Sequence, residues 1–297
     1  MIVFSYPVPF RVFLQNALVF RVGHMGKIFK SIVLLVFYIY VSVATAFAET
    51  AVVQLPHTDG DGLLAKPPEF TEQQSKHMFE RGKQACSKGC VTPFGQALGA
   101  VDGAIGQSNC KDTCINPEYS FLNLNTGEIT VHTGDPGKQH LHYIGVVYQC
   151  VEYARKWWMI NKGITFGSID SANEILYLTE GKDIRTKQPV PLARSINGTA
   201  SRPPKRGDLV IYYPDRTVQK WANGHVAVVI KTDLENGTVY IAEQNYHNAA
   251  WEEPAAYTRK LRLFNIGERY TLLDVSTDAH TNKTGGLISG WLYPQTQ

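Results

Sequence analysis

The stretch Tyr148-Gln149-Cys150-Val151-Glu152-Tyr153-Ala154-Arg155-Lys156-Trp157-Trp158 reads as the opening of a helix with a cysteine in its first turn. Val151, Ala154 and Trp158 recur at intervals of three and four residues, the spacing of one buried helical face. A thiol at a helix N-terminus meets unpaired backbone N–H groups and the positive end of the helix dipole. That setting favours thiolate and makes a nucleophile. Cysteine is also a common small buried hydrophobe, so its position alone assigns Cys150 no role.

The deciding residues lie downstream. Asn223-Gly224-His225 opens the apolar run Val226-Ala227-Val228-Val229-Ile230, and Val239-Tyr240-Ile241-Ala242-Glu243-Gln244-Asn245 reads as a second strand. Glu235-Asn236-Gly237-Thr238 between them is a hairpin signal. Cysteine on a helix, histidine at one strand end and a carboxylate on the neighbouring strand are the parts of a thiol hydrolase. Cys150 is then the expected nucleophile and His225 the base that takes its proton. Glu243 or Asn245, two residues apart and so on one strand face, would orient the imidazole. Gln149 and the backbone N–H of Cys150 are the candidate oxyanion donors.

The motif order QCVEYAR, GHVAVV, AEQN resembles that of the CHAP cysteine amidases of the papain-like superfamily. Within them it is most similar to the amidase domain of glutathionylspermidine synthetase/amidase, over roughly Pro93 to Trp291. The resemblance implies an α+β fold, a papain-like core of the NlpC/P60 type with the nucleophile helix packed on a small antiparallel sheet. The chain order, helix first and strands afterwards, agrees with that class. The resemblance also implies that Glu243 is the partner of His225. No cofactor and no metal are needed.

The first 48 residues stand apart. Lys27 and Lys30 precede the apolar run from Ile32 to Val41, and Ala46-Phe47-Ala48 has the small-x-small form of a cleavage site. This is the layout of a secretory signal, best proportioned if translation starts at Met25 and cleavage follows Ala48. The competing reading is a transmembrane anchor, for which the run is short. The leader holds four basic residues and no acidic one, so removing it takes the net charge from +3 to −1. A nucleic-acid partner is therefore not expected. Membrane contact is expected only through an uncleaved leader, and the destination is secreted, periplasmic or otherwise extracytoplasmic.

Cys86, Cys90, Cys110 and Cys114 form two C-x3-C pairs and leave Cys150 odd. In an exported chain this favours two disulfides, in any of three pairings, and a reactive fifth thiol. A zinc site is the rival reading of the four. Residues 49–70 read as a linker, 71–92 as a helical extension carrying cysteines, and 93–297 as the amidase domain. Thr71-Glu72-Gln73-Gln74 is a capping box starting a helix through about Lys83.

Further expected elements are a glycine-rich hairpin around Asp102-Gly103, weak strands at 121–124 and 128–132, and a short helix over 171–178. Strands follow at 209–213, 226–231, 238–243, 260–264 and 287–292. Residues 181–205 read as a long basic loop, which with 115–142 would border the cleft. His140 and His142 read as surface residues. Arg206-Gly207-Asp208, an adhesion triplet in isolation, fits the turn before a CHAP strand.

Three functions follow. The first is a secreted, monomeric cysteine amidase or endopeptidase acting on cell-wall (peptidoglycan) peptides, favoured if the basic loop meets anionic wall peptides. The second is hydrolysis of glutathionylspermidine, and the third a non-catalytic binding module of the same fold. Mass spectrometry of exported protein should find a mature N-terminus at Glu49; an intact N-terminus would overturn the leader assignment.

Overall fold

In the computed structural model, helix α1 (Cys150–Lys162) starts at the cysteine itself and stops at Gly163, whose φ of 66° is the left-handed cap that glycine adopts without strain. Tyr153, Ala154, Trp157 and Trp158 point into a core shared with Leu209, Ile211, Val226 and Val228 of the strands below. The Trp158 indole N–H also donates to the Gly207 carbonyl at 2.8 Å, tying the helix to the turn before those strands.

The structure describes residues 71, 73, 80, 82, 86–112, 114–215, 217, 222–276 and 285–295. All lie in the unit Leu55–Gln297. The expected leader over 1–48, its start at Met25 and the linker over 49–70 lie outside the described residues. Of the expected helix over 71–83, the described Gln73, Glu80 and Gly82 are helical.

The strands run β1 (Ala97–Val101), β2 (Ala104–Gln107), β3 (Tyr119–Asn123), β4 (Ile129–His132) and β5 (Leu141–Val146) before α1. After it come β6 (Ile164–Thr165), a 3-10 turn (Ala172–Tyr177), β7 (Glu180–Asp183), β8 (Pro189–Ile196), β9 (Leu209–Tyr212), β10 (His225–Asp233), β11 (Thr238–Ala242), β12 (Arg259–Ile266), β13 (Arg269–Leu273) and β14 (Ile288–Pro294). The expected small sheet is in fact nine-stranded, in the order β13-β12-β11-β10-β9-β14-β8-β7-β6, and β structure dominates the described residues. Its neighbours pair antiparallel throughout. Its face opposite α1 is closed by Val210, Ala227, Val229, Ile241, Leu261 and Trp291.

One sequence expectation needs correction. Residues 181–205 are not one long loop but mostly the hairpin β7–β8. Its turn is made by Asp183, whose carboxylate accepts the N–H groups of Arg185 and Thr186 at 2.8 and 2.7 Å. A side chain capping its own turn is a local signal that the abundance of Lys, Arg and Pro obscured. Residues 115–142 hold the strands expected at 121–124 and 128–132 as β3 and β4, which with β5 form a three-stranded sheet in the order β4-β3-β5. Strand β5 delivers the chain to α1, and Gly145 in it has a physical role. A Cβ there would lie 2.9 Å from Glu152 Cβ, so glycine lets the strand touch the first turn of the helix.

The four paired cysteines form Cys86–Cys114 and Cys90–Cys110, which leaves none of these four sulfurs for zinc. The Arg206-Gly207-Asp208 triplet is structural, because Asp208 is buried and paired with Arg202. Among the described residues no helix is long and apolar enough to cross a membrane. Replacing Trp158 by Ala should cost about 3–5 kcal/mol of stability, the range for deleting a fully buried aromatic. Urea unfolding reads this out, and a loss under 1 kcal/mol would contradict the packing described.

Candidate active site

The site forms where the start of α1 faces the start of β10. Sequence puts His225 at a strand end because Gly224, at φ 67°, turns the chain into the sheet just before it. His225 Nε2 lies 2.7 Å from Glu243 Oε2, immediately beyond β11. Cys150 and His225 share a side-chain hydrogen bond. With Nε2 held by Glu243, the nitrogen left for the sulfur is Nδ1. Cys150 is half-buried, while His225 and Glu243 are buried.

Glu243 is held in turn by Arg259 at the start of β12. Arg259 Nε donates to Glu243 Oε1, and Nη2 donates to Oε2 at 3.2 Å. The same guanidinium donates to Asp274 and, at 3.0 Å, to the Tyr212 hydroxyl, and stacks on the Tyr246 ring at 3.8 Å. Sequence reasoning missed Arg259. A signal existed, since Arg259, Leu261 and Leu263 alternate on one face of β12 and the two leucines mark that face as core.

Burial works against a charged His225, yet Cys150 and Glu243 outweigh it and push its pKa up to about 9. Burial would likewise raise Glu243, but Arg259 and His225 hold it down at about 2. The imidazolium and carboxylate are therefore the favoured forms between those limits. The His225 contribution to stability is complete below its ordinary value near 6.5 and lost as pH rises through about 9. That of Glu243 is present above its ordinary 4.5 and lost as pH falls through about 2.

Asn245 does not sit beside Glu243 as alternation predicted. β11 ends at Ala242, and Asn245 takes a φ of 57°, which breaks the strand alternation and turns its side chain elsewhere. Its Nδ2 donates to Gln149 Oε1 at 2.8 Å. Gln149 is the residue before the first turn of α1, and its Nε2 donates to the Cys114 carbonyl at 3.1 Å.

The helix start is also fixed from behind. Gln244 Nε2 donates to the Gln149 carbonyl at 2.9 Å and to Glu152, which accepts Ser120 Oγ at 2.8 Å and pairs with Lys156 at 3.2 Å.

These groups open on a cleft of about 530 Å³ lined by Tyr143, Gln149, Cys150, His225 and Asn245. Its charged lining residues that reach solvent are Asp112 and Asp170; Glu152 and Arg155 are buried. None of Lys182, Arg185, Lys187, Arg194, Arg202 and Lys205 lines it, which corrects the placing of the basic segment at the cleft. His140 and His142 are also off it. His142 lies 2.9 Å from Lys187, and burial followed by that charge lowers its pKa to about 4. Among the described residues no cluster of three His, Cys, Asp or Glu side chains could hold a metal ion.

Residues 141–245 match the CHAP domain model, a span that contains Cys150, His225 and Glu243. The chain is 36% identical over 195 residues to trypanothione synthetase of Crithidia fasciculata, covering 66% of this chain and 26% of that protein. It is 29% identical over 210 residues to the bifunctional glutathionylspermidine synthetase/amidase of Escherichia coli (strain K12), covering 69% of this chain and 30% of the relative. A shorter match, 29% over 133 residues, reaches glutathionylspermidine synthase of Crithidia fasciculata, with 43% of this chain and 17% of that protein covered. The chain thus spans less than a third of the length of these curated relatives.

Glu243→Gln should destabilise the fold by about 3–5 kcal/mol, because it leaves the buried Arg259 charge short of a counter-ion. Chemical denaturation measures this, and an unchanged midpoint would remove Arg259 from the description of the site.

Proposed function

We propose, from the membership of residues 141–245 in the CHAP family, that this chain hydrolyses amide bonds through a thioester on Cys150. The observation that carries the reading is the hydrogen-bonded line Cys150–His225–Glu243 at the mouth of a cleft. The sulfur attacks the amide carbonyl carbon, a C–S bond forms, and the carbonyl electron pair moves to oxygen. Collapse breaks the C–N bond while the proton on His225 passes to the leaving amine. Water, giving a proton to His225, then attacks the thioester carbonyl and breaks the C–S bond. The products are a carboxylic acid and an amine, with Cys150 and His225 returned to their starting protonation states. Glu243 keeps the ring oriented and balances its charge throughout.

Cleft charge favours a substrate with a cationic amine portion. Asp112 and Asp170 supply negative charge at the rim, and the basic segment that argued for anionic wall peptides lies elsewhere. A glutathione–polyamine amide, the compound named in the bifunctional relative, fits this rim and is placed first. Hydrolysis of wall peptides is the second reading. It draws on the leader-like first 48 residues and on two disulfides, which suit an extracytoplasmic setting. A non-catalytic module is disfavoured by a thiol that is hydrogen-bonded to a histidine in an open cleft.

The test measures amine release from glutathionylspermidine and from purified peptidoglycan at equal enzyme. Cys150→Ala should abolish release and His225→Ala should come close to that, since such residues act as one unit. Release from the wall peptide alone would reverse the substrate order, and full activity in Cys150→Ala would overturn the mechanism. Because His225 must carry the proton that the amine receives, kcat/KM should decline above about pH 9.

A further inference from the structure

Four groups beside the nucleophile close a hydrogen-bonded ring. The Cys114 carbonyl accepts Gln149 Nε2 at 3.1 Å and Asn109 Nδ2 at 2.8 Å. Asn109 Nδ2 also reaches Asn245 Oδ1 at 3.1 Å, and Asn245 Nδ2 donates to Gln149 Oε1 at 2.8 Å. Each amide can be oriented only one way, because a backbone carbonyl that can only accept starts the sequence. Gln149 is thereby gripped at both ends of its amide, and one N–H of its Nε2 has no protein partner among the described residues. The ring is anchored at strained backbone: Cys110, Asn245 and Asn248 have φ of 66°, 57° and 54°. Asn248 Oδ1 accepts the Asn109 N–H at 2.7 Å and keeps the ring registered on the loop after β11.

We infer that this ring positions the Gln149 amide to donate its remaining N–H to the oxyanion formed at Cys150, and that the Cys86–Cys114 disulfide holds the ring in place. The inference rests on the thioester mechanism above and adds positioning residues to it. Cys114 is the one ring member contributing backbone rather than a side-chain amide, and it is tied covalently to Cys86, with Cys90–Cys110 securing the other end of the same short segment. The disulfides therefore act on turnover as well as on stability. Preorganised donors of this kind commonly carry roughly 10²–10³ in kcat.

The experiment uses the oxidised full chain with glutathionylspermidine, or with the wall peptide if that is the amide cleaved. Gln149→Ala should lower kcat about 100-fold or more, in the range for one oxyanion donor. Asn245→Ala should lower it roughly 10-fold or more with KM little changed, as misplacing a donor does. Iodoacetamide alkylation of Cys150 develops no oxyanion, so its rate should be unchanged in both variants. In the double variant Asn245→Ala/Gln149→Ala, kcat should equal that of Gln149→Ala alone. Cys86→Ser, and reduction of the wild type, should lower kcat likewise but not further in a Gln149→Ala background.

Full kcat in Gln149→Ala or Asn245→Ala, or additive losses in the double variant, would overturn the inference. That result together with an essential Cys150 would leave the thioester mechanism standing, whereas a dispensable Cys150 would remove both.

Discussion

The site depends on one buried cation. Arg259 sits between two carboxylates, Glu243 and Asp274, with the Tyr212 hydroxyl and the Tyr246 ring completing its surroundings. Removing these charges from water is costly, and the arrangement holds because nearly every polar atom in it finds a partner. Its consequence is chemical. A carboxylate clamped by a guanidinium cannot swing away, so His225 meets a fixed acceptor on Nε2 and presents its other nitrogen to the sulfur. Removing the guanidinium would thus alter both the fold and the proton affinity of the imidazole.

Cys150 is fixed from two sides by different means. From the sheet side, apolar packing under Trp158 and Tyr153 sets the helix axis, and Gln244 holds the carbonyl just before the first turn. The cleft side mixes polar groups with apolar ones such as Ile115, Val151 and Ile169. Here the chain uses two disulfides and a ring of amides, which fix a short irregular segment that has no helix or strand of its own. Burial specifies the helix broadly, while hydrogen bonds with one permitted donor–acceptor order specify the last ångström.

Charge counted along the chain and charge facing the cleft are different quantities. The segment 181–205 is strongly basic, yet it folds as a hairpin at the sheet's edge side and its cations stay away from the cleft. Two isolated aspartates from distant parts of the chain, Asp112 and Asp170, reach the rim instead. Composition windows average over faces, and a binding cleft samples only one of them.

By itself the sequence determined the helix beginning at Cys150, the hairpin joining β10 to β11, the β1–β2 turn at Asp102-Gly103 and the separation of four cysteines from a fifth. Each of these is written in local chemistry: apolar spacing, an Asn-Gly turn, residues of positive φ. Tertiary structure alone decided that Asn245 faces Gln149 rather than His225, that Arg259 closes on Glu243, and that Cys86 pairs with Cys114 and Cys90 with Cys110. It also extended the sheet to nine strands through β6, β7, β8 and β13. These are contacts between residues far apart in the chain, where pairing is set by which surfaces the core brings together. Periodicity marks Arg259 as core-facing, but only the packed sheet supplies the carboxylates that let a charge remain there.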